Sequence, residues 1–317
     1  MYFDYNNINL APRMCMVKSR NECDTSIIFG KHTFRLPVIP ANMECVINEE
    51  LCMKLAKHNY FYIMHRFNTD VIKFCKNMIA HNYFTSISIG VNSDSYTDLD
   101  KLKIYNISPD YITIDIAHGH SIKMKEIIQY IKQTHPTSFI IAGNVSTPEA
   151  SRDLESWGAD AIKVGIGPGS ACTTYNATGF GSRGVQASIV ELCANAVEKA
   201  LIIADGGISH AGDIAKSLVL RASMVMIGGM FSGLNDSPGT VVQGIDRLLY
   251  KEFWGSASAH QSNKKNRIEG TKKLIPMKSH SILEEMKLLE ESLQSAISYG
   301  GGRDLSCLKY VKFFIKS

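Results

Sequence analysis

The segment AIKVGIGPG (161–169) joins a short apolar run to a glycine-rich break, and LIIADGG (201–207) repeats this arrangement. Six further segments have the same character: LPVIPANM (36–43), FYIMHRF (61–67), TSISIGV (85–91), YITIDIAHG (111–119), FIIAGNV (139–145) and MVMIGGMF (224–231). Near-continuous apolar runs are typical of strands covered on both faces, as in a parallel sheet wrapped by helices. Because helical-looking stretches separate the eight segments, the pattern predicts an α/β fold, a closed (β/α)8 TIM barrel.

The rest of the chain fits one domain spanning 1–317. Residues 1–35 form an N-terminal extension, which we expect to cover the bottom or an edge of the barrel. The Gly, Ser, Asn and Lys content of 250–280, after the eighth strand, predicts a mobile flap. The segment 281–317 is a C-terminal helix and tail, and the apolar residues of its helix share one face: Leu283, Met286, Leu289, Leu293 and Ile297.

Composition excludes several classes of protein. The net charge of +4 is small for 317 residues, and Lys and Arg are spread along the chain, so no nucleic-acid or membrane-surface partner is indicated. No apolar run approaches the roughly 18 residues that cross a bilayer, and we expect a cytoplasmic protein. The eight cysteines include no C-x-x-C pair, which argues against a disulfide framework and a zinc site.

Residues directly after the strands of such a barrel face its active site. After the sixth strand, a glycine-rich loop carries Cys172 beside Thr173 and Thr174. Loop amides can stabilise a thiolate, which is the nucleophilic form of cysteine, so Cys172 is the candidate nucleophile. The alternative is a buried packing cysteine, for which a glycine-rich loop is a poor location.

The loops after the seventh and eighth strands predict a phosphate site. Asp205, Gly206 and Gly207 follow the seventh strand, and Gly228 and Gly229 follow the eighth. Barrels commonly bind phosphate with loop amides at these two positions, and the Asp205 carboxylate could accept hydrogen bonds from ribose hydroxyls. The alternative is that these glycines only make tight turns.

Two other motifs carry weaker signals. His118 and His120 are spaced as a His-x-His pair, but no carboxylate or cysteine at ligand spacing completes a metal site. The basic run that ends at Arg267 is typical of a solvent-exposed face of the flap. The more specific alternative is that Arg267 contacts the phosphate of a ligand.

Several motifs in order, GIGPGSACTT, TGFGSRG, IADGGI, IGGMF, FWGSAS, RIEGTK and SAISYGGG, resemble the IMP dehydrogenase/GMP reductase family along nearly the whole chain. The resemblance favours the reductase reaction, in which GMP is deaminated to IMP and ammonia. It implies that Cys172 attacks C2 of the purine to give a covalent thioimidate, which a hydride from NADPH reduces. Thr174 and Glu269 would relay protons to the departing amine.

The same resemblance implies the contacts of each ligand. It places the phosphate on Ser170, Gly206, Gly207, Gly228 and Gly229, the ribose on Asp205, and the base near Gly255, Ser256, Glu269 and Gly270. It assigns the cofactor NADPH to Arg66, Asp115, Ala117, Ile166, Gly167 and Tyr299. The carbonyls of Gly167, Gly169 and Cys172 resemble a monovalent-cation site, here for K⁺. Relatives are tetramers, so a homotetramer is expected.

Three rival functions remain open. An IMP dehydrogenase would need an activated water and an Arg-Tyr pair in the flap, and no such pair lies between the eighth strand and Glu269. A flavin-dependent barrel oxidoreductase would use the paired glycine loops but leave Cys172 unexplained. A non-catalytic nucleotide-binding barrel would not need Cys172. The chain also departs from the resemblance, since TTYNA (173–177) is uncharged where many relatives are basic, and Arg267 falls one position from the expected arginine.

Overall fold

The computed structural model describes residues 2–255 and 270–316. The strands are β1 Ile8–Leu10, β2 Ile27–Phe29, β3 His32–Phe34, β4 Val38–Pro40, β5 Ser86–Ile89, β6 Tyr111–Asp115, β7 Phe139–Val145, β8 Ala161–Val164, β9 Leu201–Asp205, β10 Met224–Ile227, β11 Val241–Gln243, β12 Leu249–Trp254, β13 Lys272–Pro276 and β14 Phe313–Ile315. The α-helices are α1 Glu49–Lys57, α2 Val71–Ala80, α3 Ser93–Ile104, α4 Ile122–Thr134, α5 Pro148–Trp157, α6 Thr174–Thr178, α7 Gln186–Ala194, α8 Ala211–Val219, α9 Gly229–Ser232 and α10 Ile282–Tyr299.

A curled parallel sheet forms the centre of the molecule. Seven strands pair in the order β4-β10-β9-β8-β7-β6-β5, and the pairing of β10 with β4 brings the last barrel strand beside the first. Helices follow the strands along the chain, as the strand–helix repeat predicted. The α/β TIM-barrel-like fold is therefore confirmed.

The second predicted strand, FYIMHRF (61–67), differs from the other seven. It lies along β5 but forms a single bridge, between Met64 and Ile87, in place of a continuous ladder. The hydroxyl of Ser88 donates a hydrogen bond to the Met64 carbonyl at 2.7 Å. In a regular strand, this carbonyl would instead accept a backbone amide of the neighbouring strand. The apolar side chains of Phe61 and Ile63 still point into the barrel.

Side chains alternate between two cores, one inside the ring of strands and one between the ring and its helices. On β9, for example, Ile203 belongs to the inner core, whereas Ile202 and Ala204 belong to the outer core. The inner core is small and fully enclosed, and its members are Phe29, Phe34, Ile39, Ala41, Phe61, Ile63, Tyr111, Ile141, Ala161, Ile203, Met224 and Met226. On β6 and β9 this period of two points the last residues, Asp115 and Asp205, into the mouth of the barrel, on the same face as Tyr111 and Ile203 of the inner core.

The N-terminal extension closes the bottom of the barrel, as its position predicted. The strands β2 and β3 form a hairpin whose Phe29 and Phe34 are buried in the inner core. The Phe29 ring lies 4.9 Å from that of Phe139, the first residue of β7, and the Tyr111 hydroxyl at the start of β6 donates to the Phe29 carbonyl at 2.5 Å. The hairpin therefore meets the amino ends of the strands, opposite the expected site.

Beyond the barrel, β11, β12 and β13 form an antiparallel sheet. At the described ends of the predicted flap (250–280), β12 pairs with β13. The buried side chains of Lys251 and Phe253 anchor β12 on the barrel. The predicted amphipathic helix is confirmed as α10, and its Ser281 forms the N-terminal capping box. None of the described helices is long and apolar enough to span a membrane.

Candidate active site

Cys172 lies in the loop between β8 and α6, at the carboxyl end of the barrel strands. Its amide donates to the Gly169 carbonyl at 3.1 Å, which folds the loop into a turn. The Cys172 Sγ lies 3.1 Å from Oγ1 of Thr174, the first residue of α6, and either atom can be the donor. The two side chains predicted to act together are therefore in direct contact.

The other cysteines are in different surroundings. Apart from Cys15, which is exposed, they are buried, whereas Cys172 is partly exposed. Burial raises the pKa of the Cys45 and Cys75 thiols to about 12 and that of Cys193 to about 11. Such thiols stay protonated near neutral pH and act as small apolar side chains, as predicted for most cysteines of the chain.

The glycine turns predicted to hold a phosphate converge on the Cys172 loop. A Cβ at Gly206 would lie 3.2 Å from Pro168 and 3.3 Å from the Gly169 nitrogen, and one at Gly229 would lie 3.8 Å from the Ser170 hydroxyl. Gly206 and Gly207 have φ of +82° and +79°, a conformation that favours glycine. The loops after β8, β9 and β10 thus meet around one small space.

Charged side chains line the barrel directly below this space. The Lys163 ammonium lies 2.5 Å from Asp115 Oδ1 and 3.2 Å from Asp205 Oδ2. The amide of Asn144 donates to Asp205 Oδ2 at 2.7 Å, and that of Asn42 donates to Asp115 Oδ2 at 3.1 Å. Burial opposes ionisation of Asp115, but the charge and hydrogen bond of Lys163 outweigh it and lower the pKa of this carboxyl.

Sequence reasoning missed three members of this network, Asn42, Asn144 and Lys163. One signal for Lys163 was present in the sequence. This lysine lies inside the apolar run AIKVG (161–165), so if the run is a barrel strand, the lysine must be buried and needs a charged partner. The two asparagines end strand segments, at the same level as Asp115 and Asp205, and that position was a second signal.

Residues assigned to the cofactor fall into two groups. Arg66 lies close enough to Asp115 for its charge to help lower the pKa of that carboxyl, and the exposed Ala117 follows β6 two residues after Asp115. Tyr299, in contrast, is 68% exposed at the end of α10, where its carbonyl accepts the amide of Arg13. None of the contacts within the described ranges brings Tyr299 to the Cys172 loop.

The predicted base contacts and cation ligands are only partly described. Gly270 pairs with Cys172 in an antiparallel bridge, and a Cβ at Gly255 would lie 3.1 Å from the Ala171 carbonyl, so both glycines adjoin the nucleophile. The Ile166 carbonyl accepts the Ser182 amide at 2.8 Å. The remaining predicted contacts, Ser256, Arg267 and Glu269, lie outside the described residues.

Comparison with known proteins agrees with this arrangement. A family model described as IMP dehydrogenase / GMP reductase domain matches residues 2–317. A GMP reductase of Mycoplasma mycoides is 52% identical over 314 residues, covering 99% of this chain and 97% of that protein. A GMP reductase of Bacillus licheniformis is 51% identical over 314 residues, covering 99% and 95%. One of Albidiferax ferrireducens is 50% identical over 311 residues, covering 98% and 95%. The chain therefore belongs to the IMP dehydrogenase / GMP reductase family.

Proposed function

We propose that this protein is a GMP reductase, which converts GMP, NADPH and two protons to IMP, NADP⁺ and ammonium. The observation that carries the proposal is the Cys172–Thr174 contact at 3.1 Å beside the converging glycine turns. Relatives about 50% identical over nearly their full length bear the name GMP reductase.

Most residues of the proposed site bind the nucleotide, and few take part in the chemical steps. The glycine turns at Gly206, Gly207 and Gly229, with the Ser170 hydroxyl, bind the phosphate, and Asp205 accepts hydrogen bonds from the ribose hydroxyls. The Gly206 amide itself donates to the Met226 carbonyl at 3.1 Å, so it is not one of the phosphate donors. A nucleotide held in this way would present its purine to the Cys172 sulfur. Asp205 Oδ2 already accepts hydrogen bonds from Lys163 and Asn144, which leaves Oδ1 to accept a ribose hydroxyl.

Catalysis proceeds in two covalent steps. The Cys172 thiolate adds to C2 of GMP, and the amine leaves as ammonia once Thr174, with Glu269, has delivered a proton to it. The carbon–sulfur bond then joins the enzyme to the purine as a thioimidate. When bound, NADPH supplies the hydride that reduces C2, after which the carbon–sulfur bond breaks, IMP leaves and the thiolate is restored.

The groups beside Asp115 fit a dinucleotide. The buried Nε of Arg66 has no hydrogen-bond partner among the described residues, which is costly unless a ligand supplies an acceptor. A phosphate of NADPH would satisfy it, and Asp115 would accept hydroxyls of the adjacent ribose. Ala117, Ile166 and Gly167 would line the same side, whereas no described contact brings Tyr299 to it.

A monovalent cation also fits the Cys172 loop by its donor chemistry. Backbone carbonyls are the ligands that K⁺ prefers, and those of Gly167, Gly169 and Cys172 lie on one short turn. The Gly169 carbonyl accepts only the Cys172 amide among the described contacts, which leaves a lone pair for a cation.

The decisive experiment follows NADPH oxidation and ammonia release with GMP as the only other substrate. We expect turnover with GMP and NADPH and none with IMP and NAD⁺. Production of xanthosine monophosphate from IMP would instead identify a dehydrogenase, and a yellow flavin spectrum of the purified protein would contradict the proposal.

Cys172→Ala tests the nucleophile. We expect loss of turnover by at least about 10⁴-fold with GMP binding retained, because the covalent step has no substitute. Cys15→Ala is the matched control, since it removes the exposed cysteine and should leave the rate unchanged. Undiminished turnover of Cys172→Ala would refute the assignment.

A further inference from the structure

Lys163 is buried at the centre of the barrel and touches two strands besides its own. Its side chain is 2% exposed, whereas those of Asp115 and Asp205 are 18% and 17% exposed. Asp115 ends β6, two strands away from β8, and Asp205 ends β9, the neighbour on the other side. One ammonium therefore joins the two carboxylates that the proposed function assigns to cofactor and nucleotide.

The barrel wall is shaped to let this lysine cross. Gly143 of β7 stands in register between Asp115 on β6 and Lys163 on β8. A Cβ at Gly143 would lie 2.5 Å from the Lys163 Cβ and 2.9 Å from its carbonyl oxygen, a spacing that no side chain tolerates. Glycine at this position lets the lysine stem pass over β7 to reach Asp115.

Charge explains why the lysine is needed there. Two carboxylates in one poorly solvated space raise each other's pKa, so one of them takes up a proton unless a cation lies between them. Burial opposes the ammonium, yet the negative charges of Asp115 and Asp205 raise the pKa of Lys163 overall and keep it protonated. The site can then hold both carboxylates ionised at the same time.

We propose that Lys163 is a positioning residue whose ammonium keeps Asp205 ionised for the ribose of the nucleotide while Asp115 is ionised for the cofactor. This inference rests on the proposed function only for the identity of the two ligands. In the absence of Lys163, the two carboxylates share the site without a cation between them, and because the charge of Arg66 favours ionised Asp115, nucleotide binding through Asp205 is weakened.

The test measures GMP binding by titration calorimetry between pH 5.5 and 8.5 in wild type and Lys163→Met. The ratio of the two association constants cancels the titration of the GMP phosphate itself. We expect the variant to bind GMP progressively more weakly than wild type as the pH falls, by up to about tenfold per pH unit. A purely structural loss would lower the ratio equally at every pH.

The double variant Lys163→Met/Asp115→Asn removes the competing charge. We expect its ratio to Asp115→Asn to be independent of pH, and its melting temperature to exceed that of Lys163→Met. GMP binding by Lys163→Met within about twofold of wild type at all pH values, a pH slope that persists in the double variant, or failure of both variants to fold would overturn the positioning role. Failure of the wild type to bind GMP would instead count against the proposed function.

Discussion

Burial of His135 makes the stability of the protein sensitive to mild acid. This residue follows α4, is 2% exposed, and its Nε2 lies 3.1 Å from the Leu99 carbonyl. Burial lowers its pKa from the ordinary 6.5, despite the hydrogen bond to Leu99. Below pH 6.5 the unfolded chain therefore binds a proton at His135 that the folded chain does not. The contribution of His135 to the free energy of unfolding is fully present above pH 6.5 and is lost as the pH falls below it.

His135→Gln should reduce this sensitivity, because glutamine can still donate to the Leu99 carbonyl but does not titrate. We expect the wild type to lose up to about 1.4 kcal/mol per pH unit more than the variant between the unfolded and folded pKa values. Urea unfolding at pH 7.5 and 5.5 measures the difference. Equal losses in the two proteins would show that His135 does not contribute.

Single residues of the site were predictable where local sequence fixes their surroundings. Cys172 stands out because a glycine-rich loop offers little packing, and the structure leaves it partly exposed beside Thr174. Lys163 could not be assigned in this way, because its contacts depend on the register that places Gly143 between it and Asp115. That register is decided by pairing across three strands, which no single segment encodes.

At the level of elements, the apolar runs predicted the strands well because both faces of each strand are buried. The segment 61–67 was the exception, since the Ser88 hydroxyl takes the place of a ladder contact there. The strands β12 and β13 lie at the described ends of the predicted flap, and Lys251 and Phe253 of β12 are buried although glycine and lysine dominate the composition nearby. Composition averages over a window and therefore hides a short strand at its end.

The junction of β8 with the Cys172 loop depends on Gly165. Its φ is +151°, and a Cβ there would lie 2.0 Å from the Asp205 carbonyl oxygen. Gly165→Ala should lower the free energy of unfolding by more than about 2 kcal/mol, through overpacking and backbone strain.

Gly212→Ala is the matched control, since the added methyl group meets no atom within 4 Å and alanine favours the helix α8. We expect it to raise the stability slightly, by up to about 0.5 kcal/mol. Urea unfolding curves give both values. A stability of Gly165→Ala equal to that of wild type would mean that the loop adopts another conformation.

For the molecule as a whole, the two ends of the barrel serve different purposes. The amino ends of the strands are closed by the hairpin β2–β3, whose Phe29 is completely buried. The carboxyl ends carry Asp115, Asp205 and the Cys172 loop, where charged side chains and glycine turns take the place of an apolar cover. Because the inner core separates the ends, stability and ligand binding should respond to different substitutions.

Phe29→Ala tests this separation. The ring packs 5.1 Å from that of Phe61 and 4.9 Å from that of Phe139, so its removal leaves a cavity at the base of the inner core. We expect a loss of about 3–5 kcal/mol in the free energy of unfolding, with the GMP dissociation constant unchanged under conditions where the variant is folded. Ile28→Ala, in the same hairpin but 73% exposed, should change neither quantity. If Phe29→Ala weakened GMP binding in the folded protein as much as it lowered stability, the two ends would be coupled through the core, and the hairpin would have to be counted as part of the binding machinery.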